Sequence, residues 1–147
     1  RIRFDPEPCP CGSAFPVIEV QGRADDVLAL PAIRGGAVLL LPLVLETVIE
    51  ESTGITQFQL LHRPDGALEL RLPGGREVRD TAFAACSRAL RAFFLAHGVK
   101  RPRLVLGRQA PQLQRGSGKL RRVIDLSGAG PGGRPVTGHG AGASGGT

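Results

Sequence analysis

The strongest constraint in this chain is a change of hydrophobic period. Over Ala67 to Leu72, Leu68, Leu70 and Leu72 alternate with Glu69 and Arg71. A period of two puts the leucines on one face, so this is a half-buried antiparallel strand. From Val78 to His97 the period becomes helical. Ala82, Cys86, Ala89, Leu90, Phe93 and Phe94 form one stripe, with Arg79, Ser87, Arg88 and Arg91 mostly off it. Gly98 ends that helix. A strand with one dry face beside a helix with one apolar stripe has a small set of solutions. The stripe must cover the sheet, which makes an α+β layer arrangement.

The flanking segments extend the pattern. Leu41, Leu45, Val48 and Ile49 recur at helical spacing, with Glu46, Glu50 and Glu51 opposite. Pro42 suits a first helical turn, and Gly54 a stop, so a helix is expected over about 42–52. Pro16–Val20, Val27–Leu30 and Ala37–Leu41 read as short strands, the last two separated by a hairpin-like Arg34-Gly35-Gly36 break. Ile55–His62 pairs with Ala67–Leu72 around Pro64-Asp65-Gly66. Leu104–Leu106 and Leu120–Leu126 are the last strand candidates, around a loop from Gln109 to Lys119. The expected fold is a small α+β domain, with two helices on one face of an antiparallel or mixed sheet.

Composition removes several classes. Hydrophobic residues make up 41% of the 147, too many for a disordered chain. The longest apolar run, 37–45, falls far short of the roughly 20 residues that span a bilayer. The stretch 127–147 takes 9 of the 21 glycines and has no apolar period, so it reads as a disordered tail. The 3 cysteines are too few for a disulfide scaffold, and their odd count suits a reducing compartment. With no signal-peptide pattern either, a cytoplasmic protein is expected. There is no methionine even at position 1, from which a fragment beginning mid-protein is expected.

Net charge is +6, and its distribution is uneven. From Lys100 to Arg122 there are eight basic residues and no acid, a field that suits an anionic partner. The run contains no aromatic residue, whereas single-strand nucleic-acid binders interleave stacking rings. A phosphate or nucleotide therefore fits better than a polynucleotide. Gly116-Ser117-Gly118-Lys119 presents one lysine on a small glycine-rich loop. It is not a P-loop, because G-x-x-x-x-G-K-[ST] would need Gly at Leu113 and Ser or Thr at Leu120. A lysine on such a loop still reaches an anion as a point charge.

Two further motifs have alternative readings. Cys9-Pro10-Cys11-Gly12 is either a turn with two partly buried thiols or half of a zinc site, since zinc needs four ligands and no second pair follows. Cys86 lies on a helix face that reads as buried, and His62, His97 and His139 lack ligand spacing. Gly22-Arg23-Ala24-Asp25-Asp26 is either a solvated turn or a hinge, because short polar residues tolerate large φ/ψ changes. No catalytic serine elbow, His–Asp pair or paired-carboxylate signature stands out.

Taken in order, C-P-C-G, P-V-I-E-V-Q-G-R-A-D-D, a helix beginning at a proline, and S-G-K-L-R-R resemble the C-terminal region of phenylacetate–CoA ligase-like enzymes, in the adenylate-forming (acyl-CoA synthetase) superfamily. The resemblance covers roughly Arg1 to Ile124. Its two short motifs lie about 95 residues apart, and their co-occurrence is more specific than either alone. It implies the end of an N-terminal body over 1–22 and a C-terminal lid domain over 23–126. It also implies roles: Asp25 as the hinge on which the lid swings, Arg23 near the adenylate ribose and phosphate, and Lys119 as the catalytic lysine bridging the substrate carboxylate and the α-phosphate. The implied cofactors are ATP with Mg²⁺ and coenzyme A. The implied partners are a carboxylic acid and a separate N-terminal domain, with no membrane. Where the family carries an Asn-Val-Phe-Pro-like approach to the first helix, this chain reads Arg34-Gly35-Gly36-Ala37-Val38-Leu39-Leu40-Leu41-Pro42. That departure implies a divergent branch with an acid other than phenylacetate. Two other readings stand beside it: a basic α+β module binding RNA or an anionic ligand without catalysis, and a stand-alone remnant docking on a partner synthetase.

Overall fold

The computed structural model describes residues 2–5, 17–20 and 27–129. The order of elements is β1 (Ile2–Asp5), β2 (Val17–Val20), β3 (Leu28–Pro31), β4 (Ala37–Leu40), α1 (Pro42–Thr53), β5 (Gln59–His62), β6 (Leu68–Arg71), α2 (Arg76–Ala96), β7 (Leu104–Leu106) and β8 (Val123–Asp125). β1 and β2 form one antiparallel pair, and β3 and β4 another. The remaining strands form a four-stranded sheet in the order β7-β6-β5-β8. β5 and β6 are antiparallel, while both edge strands run parallel to their neighbours. The expected α+β fold is present, and its sheet is mixed.

The periods explain the layers. Leu60, Leu68, Leu70 and Val123 point to one side, where they are buried with Leu45, Ile49, Cys86, Leu90 and Phe94 of the two helices. Leu28, Leu30 and Leu40 of the β3–β4 hairpin close the same core. That hairpin turns through Gly35 and Gly36, both at positive φ (89° and 75°), a conformation only glycine adopts cheaply. It is tied to the end of α2 by Ile33 N–H to Gly98 O (2.9 Å) and Lys100 N–H to Pro31 O (2.7 Å). α1 starts with Pro42 and stops at Gly54 in the left-handed region, as its sequence signals require.

Some expectations need correction. Leu41 is not on the core stripe of α1: it is the N-cap, in extended conformation and 60% exposed. Ser87 is buried, because the α2 stripe is wide enough to include it. Glu46 and Glu50, expected on a wet face, are partly covered because Arg122 ion-pairs with both. β5 begins only at Gln59, and β8 covers only the middle of 120–126. Among the described residues, no helix is long and apolar enough to cross a membrane.

Candidate functional site

The loop that carries Lys119 owes its position to sheet topology. β7 and β8 are opposite edges, so the connection from 107 to 122 must cross the whole sheet. Three strand spacings of about 4.8 Å make that roughly 14 Å. The helices occupy one face, and the connection takes the other. There Gln112, Leu113 and Gln114 line a small cavity with Gln59 and Leu61 of β5, Arg71 of β6 and Ile124 of β8.

Within this connection the chain folds back on itself. Gln114 N–H donates to Lys119 O (2.9 Å) and Gly118 N–H to Gln114 O (3.1 Å). Gly116 and Gly118 sit at φ 89° and 63°. A Cβ at either would meet nothing within 4 Å, so backbone conformation, rather than space, selects glycine at both. Ser117 Oγ donates to Gln114 Oε1 (3.1 Å) and accepts weakly from Lys119 N–H (3.4 Å). Lys119 is exposed, and its ammonium makes no ion pair among the described residues. The result is a cation held out on a closed turn above a covered sheet face.

Below the turn, one side chain holds both legs. Gln59 is 3% exposed. Its Nε2 donates to Gln112 O (2.9 Å) and Arg121 O (3.0 Å), and its Oε1 accepts from Gln112 N–H (2.8 Å). The alternative amide orientation would set two carbonyl oxygens against Oε1, so the network assigns the amide unambiguously. Sequence reasoning missed this residue. Gln59 follows Gln57 at a strand period of two and so reads as a solvent-side position, and the crossing loop buries it.

The basic run does not form one patch. Arg103 reaches Asp65 at the β5–β6 turn (2.7 Å). There the Ala67 N–H, the largest influence, holds the Asp65 carboxyl below its ordinary value; desolvation opposes it, and the Arg63 and Arg103 charges, each smaller, lower it further. Arg122 turns under α1 to Glu46 and Glu50 and lies 5.8 Å from the centroid of the Phe58 ring. Lys100 and Arg101 stand beside the end of α2, along a groove floored by Ala92, Phe94 and Val99. Residues contiguous in sequence thus serve three different places.

The fold also makes a His–Asp pair that sequence spacing could not reveal. His62 Nδ1 lies 3.1 Å from Asp125 Oδ1, although the two are 63 positions apart, because β5 and β8 pair in parallel. Ser127 Oγ lies 3.0 Å from the same Nδ1 and donates to Asp125 Oδ1 (2.6 Å). Nucleophilic catalysis would need the serine on one imidazole nitrogen and the acid on the other. Here both share Nδ1 and the hydroxyl proton goes to the carboxylate. The cluster therefore closes the end of β8, together with Leu126 N–H to His62 O (2.8 Å).

Of the residues singled out in the sequence, Lys119 is described, while Arg23, Asp25, Cys9 and Cys11 lie outside the described residues. Cys86 is buried in the core, and burial pushes its thiol up to about 12, outweighing a hydrogen bond from Ser52. Among the described residues, no group of three or more His, Cys, Asp or Glu could hold a metal ion.

No family model matches the chain, and no curated protein does. Among solved structures, it is similar to an open conformation of 2-hydroxyisobutyryl-CoA ligase in complex with 2-HIB-AMP and CoA. The sequence identity is 24% and the TM-score 0.42. The likeness covers 83% of this chain and 26% of that one, so the chain spans about a quarter of that protein.

Proposed function

We propose that this chain is the lid portion of an ATP-dependent, AMP-forming carboxylic acid–CoA ligase. The observation that carries the reading is the presentation of Lys119. It is an exposed lysine, without an ion pair among the described residues, on a glycine-turned loop rooted in the sheet by hydrogen bonds from the buried Gln59 amide. The co-occurring G-R-A-D-D and S-G-K-L-R motifs supply the reaction class.

The chemistry suits those residue types. In the first step the acid's carboxylate attacks the α-phosphorus of ATP, giving acyl-AMP and pyrophosphate. Two anions must approach, and charge builds on the phosphoryl oxygens. A positioned ammonium, together with Mg²⁺ that arrives with the nucleotide, offsets that repulsion and stabilises the developing charge. In the second step the coenzyme A thiol, losing its proton, attacks the acyl carbonyl and AMP leaves. Lysine serves the first step and must withdraw for the second, which suits a lid that turns about Asp25. Arg23, near the same hinge, would face the adenylate.

The test uses the intact ligase that the reading requires. Lys119→Ala should cut acid-dependent ATP–pyrophosphate exchange by orders of magnitude. Thioester formation from supplied acyl-AMP should stay near the parent rate. Equal loss in both steps would remove the assigned role. Asp25→Pro should uncouple the two half-reactions, and unchanged rates in both would remove the hinge.

A further inference from the structure

The geometry points to Gln59 as the positioning residue that holds the Lys119 loop at its working height above the sheet. The functional half of this statement rests on the ligase reading, while the structural half does not.

Among the described residues, backbone pairing to the sheet secures the connection at its ends: Gly107 N–H to Leu70 O (2.8 Å), and Leu60 N–H to Arg122 O at the start of β8. The turn closed by Gln114 and Lys119 ties the loop to itself rather than to the sheet. Between turn and ends, the Gln59 amide joins Gln112 on the outgoing leg to Arg121 on the returning leg. It forms a neck across the loop, rooted in β5.

The side-chain type is dictated by the partners. Two carbonyls and one N–H must be met at one point, which needs two donors and one acceptor in a plane. An amide offers that set, and Gln in this strand register reaches both legs. Glutamate at the same volume would set carboxylate oxygens against two carbonyls. Leucine would leave three backbone groups unpaired in a covered site. The neck stands two residues before Gln114 and two after Lys119, so a shift in the legs moves the ammonium directly. A misplacement of about 1 Å can cost about 100-fold in rate.

Two measurements separate the halves. The first uses the 147-residue chain and needs no activity. Trypsin cleaves after Arg115 and Lys119, and Gln59→Glu should speed cleavage there about tenfold or more, with little change after Arg76. Gln59→Leu should do the same. Should the leucine variant fail to fold, as read from its circular dichroism, the isosteric Gln59→Glu decides alone. Unchanged cleavage at Arg115 and Lys119 in a folded variant overturns the neck.

The second uses the intact ligase. Gln59→Glu should lower kcat for acid-dependent pyrophosphate exchange about 100-fold, with KM for ATP changed much less. In the Lys119→Ala background the same change should cost nothing further, because both act through one ammonium. Full additivity overturns the positioning role. If instead Lys119→Ala itself leaves exchange intact, the ligase reading fails while the proteolysis result still stands or falls on its own.

Discussion

Arg122 offers the most informative single perturbation of the scaffold beneath the loop. It stands just before β8 and ties that edge strand to α1, through Glu46 Oε2 (3.4 Å) and Glu50 Oε1. Its side chain is 33% exposed and the two carboxylates 23% and 35%, so each pair is screened but not fully wet. Such pairs contribute about 0.5 kcal/mol each. The guanidinium near Phe58 adds about 0.5–1 kcal/mol. Removing the cation also exposes Glu46 and Glu50 to each other, four residues apart on one helix, a repulsion of about 0.3–0.5 kcal/mol. Arg122→Ala should therefore cost roughly 2 kcal/mol. For a folded part of about 100 residues, that is a fall in Tm on the order of 10 °C. Urea unfolding followed by circular dichroism at 222 nm should show the loss in midpoint at constant m. In a Glu46→Gln/Glu50→Gln background the same substitution should cost only about 1 kcal/mol, the share owed to Phe58 and the aliphatic stem. A cost below about 0.5 kcal/mol, or an equal cost in both backgrounds, would refute the assignment of Arg122 as the tie between β8 and α1.

Other outcomes follow from the same geometry. Cys86, with its thiol pushed up to about 12 by burial, should resist iodoacetamide at pH 8 in the folded chain and react once denatured. Peptide mass spectrometry reads this directly, and rapid labelling of the native chain would contradict the packing of α2. Asp65 has a depressed folded pKa, so its contribution is present above the unfolded value of 3.8 and is lost as pH falls through the folded value. Asp65→Asn should thus lower Tm at neutral pH, with the gap closing in acid below about pH 4. A gap independent of pH would show that the carboxylate charge is not what Arg63 and Arg103 respond to.

Much of the fold was legible because period and punctuation are local properties. The leucine alternation of β6, the stripe of α2, Pro42 and Gly54 around α1, and Gly35-Gly36 in the β3–β4 turn all announce themselves within a few residues. Leu41 and Ser87 were misassigned because helical period marks a direction, while burial depends on what stands there: Leu41 is left 60% exposed, and the core does reach Ser87. Lys119 was legible as the one lysine on a glycine-rich loop.

Its support was not legible. Gln59 and Arg121 are separated by 62 positions, and His62 and Asp125 by 63. Both pairs exist because β8 returns to lie parallel beside β5, across a sheet that β7 left from the other edge. Strand order is decided by which faces can be buried together, and no local pattern encodes it. By itself the sequence determined the elements, the dry faces and the residue types that can meet an anion. The tertiary structure decided which face the connecting loop crosses. It thereby decided that an amide in β5 is buried, and that the basic run divides among the β5–β6 turn, α1, the groove beside the end of α2 and the glycine-turned loop of Lys119.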